Sequence, residues 1–251
     1  MKLLLAATLI WCILGCRERY PDTTALERAR THRTAATSGR GVVESGPPEA
    51  ITARLTGGTL FFSDDFERDM LGPEWNASAS TWKLVDGTIV NHHADNAGFW
   101  LLKELPEGDI RIEFDVRSDS YSTRKNGKTA EVFPGDLKCE AFNTKPKHQT
   151  GYVFIYGGWN NQINRIARLE EHGDGEGARV EDGVSQKVVA GQTYRMKVIR
   201  VGNTVAWYAD TTYLAHMTDE DFISGRYFGF NNWRSHLTFD NVEVFALADQ
   251  K

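Results

Sequence analysis

No apolar run in this chain is long enough to cross a membrane as a helix, which takes about 20 residues. The longest, residues 3–14, stops well short of that. Cysteine is nearly as scarce, with three in 251 residues: Cys12, Cys16 and Cys139. Two of them lie in or beside the apolar run, so the rest of the chain holds one thiol and cannot form an internal disulfide. Its fold must be held by its core. Cys139 sits between Lys138 and Glu140 in an alternating stretch and reads as a small buried side chain. An excess of basic charge is also missing: 29 Lys and Arg face 34 Asp and Glu, for a net charge of -5. A nucleic-acid binder would carry a basic patch or stripe, so no nucleic-acid partner is expected. No internal repeat is present.

What the N-terminus does have is order. Lys2 precedes the apolar run, and the small residue Gly15 closes it just before Cys16. A charged start, a short apolar stretch and a small-residue exit mark a secretory signal. Ile13-Leu14-Gly15-Cys16 also resembles the lipobox of bacterial lipoproteins. That resemblance implies that residues 1–15 are a signal peptide and that Cys16 is lipidated. It implies in turn a lipid anchor in a bacterial membrane of the cell envelope, at the outer membrane or cell surface; an ordinary cleaved signal is the alternative. Residues 16–57 are rich in Arg, Thr, Ala, Ser, Gly and Pro and poor in large apolar side chains. Such a segment buries too little to offset its chain entropy and reads as a flexible tether. The folded domain is expected over residues 58–248.

From Leu60 onward short alternating runs are separated by turn residues. Ile110, Ile112, Phe114 and Val116 alternate with Arg111, Glu113, Asp115 and Arg117, which predicts a half-buried strand. Tyr194, Met196 and Val198 lead through Gly202-Asn203 to Val205, Trp207 and Ala209, a hairpin. A last strand over 237–245 carries Asp240-Asn241 at a bulge, and further strands are expected at 60–66, 82–85, 88–90, 99–102, 137–142, 152–156, 164–169 and 226–231. Only residues 218–223 look helical, with Thr218 as cap and Asp221 three residues on. Many short strands at this spacing predict an all-β sandwich of two antiparallel sheets.

The order of motifs is also recognisable. Phe62-Ser63-Asp64-Asp65-Phe66 and Leu71-Gly72-Pro73-Glu74-Trp75 open the domain, followed by Trp82-Lys83-Leu84-Val85-Asp86-Gly87. Gly151-Tyr152-Val153-Phe154 then leads to Gly157-Gly158-Trp159-Asn160-Asn161, and Phe239-Asp240-Asn241-Val242 closes the series. Over residues 59–247 this resembles bacterial members of the concanavalin A-like lectin/glucanase superfamily, in particular the 3-keto-disaccharide hydrolase and YesU-like groups. The resemblance implies a jelly roll with one concave sheet, and either a carbohydrate binder or a glycan-active enzyme.

Glu113-Phe114-Asp115-Val116-Arg117-Ser118 approaches the family 16 glucanase pattern Glu-x-Asp-x-x-Glu, but Ser118 stands where the last carboxylate belongs. Without that proton donor a family 16 mechanism is rejected. The stretch from Trp159 to His172 is the stronger candidate. Sugar sites pair an aromatic face with planar amides and carboxylates. Trp159, Asn160, Asn161, Asn164 and Arg168 are therefore the expected substrate-binding residues, with Trp233 as a second wall. Arg168, Glu170 and His172 are expected to form a charged row, in which Glu170 or His172 is the candidate general base. His92 and His93 lie near Asp95 but lack further ligands at informative spacing, so no metal site is assigned and no cofactor is expected. A structural Ca2+ between Asp65 and Asp240 is the one exception considered. The leading expectation is a lipid-anchored envelope protein that binds a carbohydrate ligand. A glycoside-cleaving enzyme of the same fold, or a structural or adhesive module with a protein partner, is the alternative.

Overall fold

A computed structural model describes residues 46–125 and 127–248. The signal peptide expected over 1–15, Cys16 and most of the expected tether lie outside the described residues.

Alternation builds two antiparallel sheets. The first contains β1 (Thr59–Asp64), β3 (Trp82–Val85), β4 (Thr88–His92), β6 (Asp109–Asp119), β13 (Thr193–Val201), β14 (Thr204–Ala209), β15 (Thr212–Thr218) and β17 (His236–Leu247). Its order is β15-β14-β13-β6-β17-β4-β3, with β1 paired to the C-terminal half of β17. The second contains β2 (Trp75–Ala77), β5 (Phe99–Leu101), β9 (Leu137–Asn143), β10 (Tyr152–Gly157), β11 (Ile163–Arg168), β12 (Arg179–Asp182) and β16 (Tyr227–Asn231). Its order is β12-β11-β10-β9-β16-β5-β2. A separate hairpin joins β7 (Tyr121–Lys125) to β8 (Lys128–Val132). The bulge expected at Asp240-Asn241 is present as a register shift between β17 and β6.

The two inner faces meet in an aromatic core. Phe114 on β6 touches the rings of Trp207, Phe228, Phe230 and Phe239, and Phe230 stacks on Phe239 with centroids 4.1 Å apart. Such offset and edge-on pairs add about 0.5–1.5 kcal/mol each beyond the area they bury. Cys139 is fully buried in this core, and burial pushes its thiol well above the ordinary value, so it is inert packing material. The architecture is the expected jelly-roll sandwich of two antiparallel sheets.

Two expectations are corrected. Residues 218–223 are not helical: Thr218 ends β15, and Asp219 turns inward to bind Tyr152 and Arg168. A tertiary ion pair overrides a weak local helix signal. The tether also ends earlier than residue 57. A short helix, α1 (Glu49–Thr52), buries Ile51 completely against Ile199, Ala206, Tyr208 and Leu247, with Leu55 packed beside it. One helical turn is not stable alone, so packing of Ile51 is what holds it. Ile51→Ala should therefore cost at least about 2 kcal/mol. At roughly 2–4 °C per kcal/mol the melt falls by about 4 °C or more. An unchanged thermal melt would return this segment to the tether.

Candidate functional site

β9 runs through the middle of the seven-stranded sheet, between β10 and β16. Alternation sends Leu137, Cys139 and Ala141 to the core and Lys138 and Glu140 to the outer face. That outer face is covered. On β10, Val153 and Ile155 pack outward with Ala167, under Trp159 and Val180. Lys138 and Glu140 are consequently 1% and 0% exposed. Buried charge is costly unless every group is paired, and here the pairing is dense.

Around Lys138, Nζ donates to Asn96 Oδ1 at 2.7 Å and to Glu171 Oε2 at 3.2 Å, with Asp136 Oδ2 at 3.5 Å. Around Glu140, the carboxylate accepts from Asn143 Nδ2 at 3.0 Å, from the Gln149 amide at 2.9 Å, from Asn231 Nδ2 and from His148 Nδ1 at 2.6 Å. Since a carboxylate only accepts, Nδ1 of His148 carries a proton toward Glu140, and Asn231 Nδ2 lies 2.9 Å from the same nitrogen. The imidazole keeps 18% of its surface in solvent. Beside these groups Trp100 approaches Gly229 so closely that a Cβ there would meet its ring at 2.6 Å. Only glycine fits there.

The loops that carry these side chains are bent into left-handed backbone. Asn96, Asp136 and Gln149 have φ of 55°, 54° and 61°. Residues Gly158–Asn161 form a single left-handed turn, with Trp159 at φ 50°, ψ 61° and Asn160 at φ 59°, ψ 46°. Left-handed backbone costs a non-glycine residue about 1–2 kcal/mol, and such strain concentrates at functional sites.

The electrostatics are uneven. Burial works against ionising Glu171, but Lys138, His148 and His172 outweigh it and hold the carboxyl at about 2. Burial, reinforced by Glu171, moves Asp136 the other way, above the usual aspartate value, despite Lys138. Burial also opposes the Lys138 ammonium, yet Asp136 and Glu171 keep its pKa above that of ordinary lysine. Opposed shifts of neighbouring carboxyls under one cover are a signature of chemistry-bearing sites.

The sequence-predicted residues divide. Trp159, Glu170 and His172 do come together on this outer face: Trp159 meets the His172 ring edge-on at 5.5 Å, and the Arg165 guanidinium lies 4.9 Å from its ring. Glu170 accepts from His172 Nδ1 at 2.6 Å and from two backbone amides. Trp233 is 47% exposed at the other side, and its backbone amide donates to Asp136. Asn160 is exposed and near them. Asn161 and Asn164 are instead structural, their amides bonded to the backbone of Val188 and of Gly157, Val184 and Gln186. Arg168 does not join a charged row with Glu170 and His172. It lies opposite Tyr152, faces inward and binds Asp219 at 2.7 Å. Its strand ends there, because Leu169 turns left-handed at φ 62°.

A second depression, about 880 Å3 and open, lies on the outer face of the eight-stranded sheet. Glu113 and Asp115 line it, but Arg195 binds both together with Glu243, and Arg68 binds Asp64. The Asp64 carboxylate there is buried too, but Arg68, the Trp75 indole and the Phe66 amide already engage it, as Arg195 engages Glu113, Asp115 and Glu243, so these carboxylates are all paired. The covered cluster on the other sheet, which the sequence-predicted Trp159, Glu170 and His172 border, is the better candidate. Asp65 lies near Asp240 as strand pairing requires, and burial with Asp115, Glu67 and Asp65 raises the Asp240 carboxyl. Calcium needs 6–8 oxygen ligands. Among the described residues no group of three or more His, Cys, Asp or Glu is set to hold a metal, and Asp65 and Asp240 supply only two carboxylates toward that number.

A family described as "Domain of unknown function (DUF6250)" matches residues 92–242, a span that contains every residue of the cluster. The chain belongs to this family. No curated protein matches this DUF6250 chain. Among solved structures, it is similar to the carbohydrate-binding module CBM66 from Bacillus subtilis, at 15% identity and a TM-score of 0.50, over 69% of this chain and 96% of that one. It is also similar to the exoplasmic/lumenal domain of VIP36, at 10% identity and a TM-score of 0.56, over 76% of this chain and 95% of that one. The Emp47p carbohydrate recognition domain aligns at 13% identity and a TM-score of 0.51, over 81% of this chain and 100% of that one. At these identities the likeness is one of fold.

Proposed function

We propose that this protein binds carbohydrate on the outer face of its seven-stranded sheet, and that a lipid on Cys16 holds it in the cell envelope. One observation carries the first part: Trp159, in contact with solvent, sits edge-on to the exposed His172, and Glu170 and Gln149 lie beside that ring, so an accessible aromatic face adjoins accessible carboxylate and amide groups above the buried polar floor. Aromatic faces stack on the apolar side of a sugar ring, while amides and carboxylates read its hydroxyls. The fold is shared with a carbohydrate-binding module, a carbohydrate recognition domain and a lumenal domain described with bound mannose, which supports the reading. On a glycan array the protein should retain at least one glycan. Trp159→Ala should weaken that binding by roughly threefold to tenfold, the worth of one stacking contact, with the melt nearly unchanged. Loss of the fold in that variant would make Trp159 a structural plug.

The anchor rests on Gly15-Cys16 after the apolar run. Cys16→Ser should abolish fatty-acid labelling and free the protein from the membrane fraction. A wild-type protein that takes up no label would remove this part of the reading.

A further inference from the structure

Resting on the carbohydrate reading, we propose that Arg165 is the positioning residue of this face. Its guanidinium, fixed by Asp182, holds the Trp159 ring in the pose that stacks on a sugar.

The local chain explains why the ring needs holding. Trp159 has φ 50° and ψ 61°, and Asn160 and Asn161 follow at φ 59° and 60°. Left-handed backbone is a true outlier for a residue as bulky as tryptophan. Three such residues in a row persist only where their surroundings over-determine them. Asn161 clamps one end of the turn: its side chain donates to the Val188 carbonyl at 2.7 Å and accepts from the Val188 amide at 2.8 Å. That clamp fixes the backbone. The indole still has two torsions of its own.

Arg165 supplies the missing restraint. It lies on β11 opposite Ile155 of β10 and Asp182 of β12, and is only 6% exposed. All three of its nitrogens are committed. Nε and Nη2 grip Asp182 at 2.6 and 3.1 Å, and Nη1 donates to the Glu171 carbonyl at 2.9 Å. A planar fork held at three points has one orientation. Its central carbon lies 4.9 Å from the centroid of the Trp159 ring, within cation–π range. His172 meets the same ring edge-on at 5.5 Å, and Glu170 holds His172 in turn at 2.6 Å. The buried guanidinium therefore backs one face of the indole, and the opposite face is the one left to solvent. A stacking surface fixed before the ligand arrives loses little freedom on binding, which is how preorganisation raises affinity. Asp182, 58% exposed, acts on the ligand only through this chain of contacts.

Lysine is the discriminating substitution, because it keeps the cation and loses the planar fork. Arg165→Lys should weaken binding of a glycan retained on the array by about threefold, and Arg165→Met by as much as Trp159→Ala. Asp182→Asn should weaken it about twofold, with the melt within about 2 °C of wild type. That variant carries the test if Arg165→Met fails to fold. A double variant separates positioning from direct contact. In a Trp159→Ala background Arg165→Lys should weaken binding no further, since it acts only through the ring. Additive losses would make Arg165 a ligand contact or a general support and would overturn the inference. So would wild-type affinity in Arg165→Lys and Asp182→Asn while Trp159→Ala still binds weakly; the carbohydrate reading would then stand. Wild-type affinity in Trp159→Ala, or no retained glycan, overturns both. A readout without ligand is independent of these arms. 15N relaxation of the Trp159 indole should show increased local motion in Arg165→Lys, with the core Trp100 and Trp207 indoles unchanged. An equally rigid Trp159 indole in that variant would contradict the positioning role.

Discussion

Lys138→Met should destabilise the protein by about 3–5 kcal/mol, because it leaves two carboxylates under cover with no cation between them. At roughly 2–4 °C per kcal/mol the melt should fall by more than about 6 °C at neutral pH. The pH dependence makes the test specific. Glu171 is held at about 2 against an ordinary 4.5, so its pairing stabilises the fold above 4.5 and is lost as pH falls toward 2. That depression corresponds to about 3 kcal/mol. Asp136 has the opposite sign: its raised pKa favours the fold below 3.8 and that contribution disappears as pH rises through the folded value. Acid unfolding of the wild type therefore follows Glu171. In Lys138→Met both carboxyls shift upward, so the variant should approach the wild type as pH falls through the carboxylate range. A deficit that stays constant with pH would mean that Lys138 acts only through packing of its stem.

The second large effect concerns Glu140. Glu140→Ala removes the shared acceptor of Asn143, His148, Gln149 and Asn231 from a site with no solvent access. Each orphaned donor costs about 1–3 kcal/mol, and the partners relax only partly. A total of about 3–5 kcal/mol is expected, the usual outcome of breaking one side of a buried charged network. Residues 144–151 depend on this carboxylate for their place on the sheet, so hydrogen exchange in that loop should accelerate before the strands themselves open. Uniform acceleration across both sheets would show that Glu140 supports the sandwich as a whole.

Much of the fold could be read in the chain, and the reasons are local. β6 and β13 alternate cleanly because one face meets the core and the other meets solvent. The hairpin of β13 and β14 closes at Gly202-Asn203, where the turn chemistry is explicit. The short edge strand β12 and the hairpin of β7 and β8 carry no such signal, since little of either face is buried, and β2 is only three residues long.

The site was harder to read. Lys138 and Glu140 look in sequence like the solvent side of an ordinary strand. What contradicts that is the neighbouring run Tyr152–Tyr156, apolar at every position, which means that the sheet is covered on both faces. Charges on the adjoining strand must then share that cover. His148 gave no signal, because its partner is eight residues away through a loop. Asn161 and Asn164 misled for a physical reason: an amide beside glycines ties down backbone as readily as it binds a hydroxyl. Arg168 was misplaced because strand geometry was continued past Leu169, where the backbone reverses.

The most direct measurement of the central claim is an 1H–15N chemical-shift map recorded with a glycan retained on the array. The account predicts perturbation of the Trp159 and Trp233 indoles and of the Gln149 amide, with the amides of Asp64 and Glu243 unmoved. Shifts confined to Asp64, Glu243 and their neighbours on the eight-stranded sheet would place the ligand on the opposite face and contradict it.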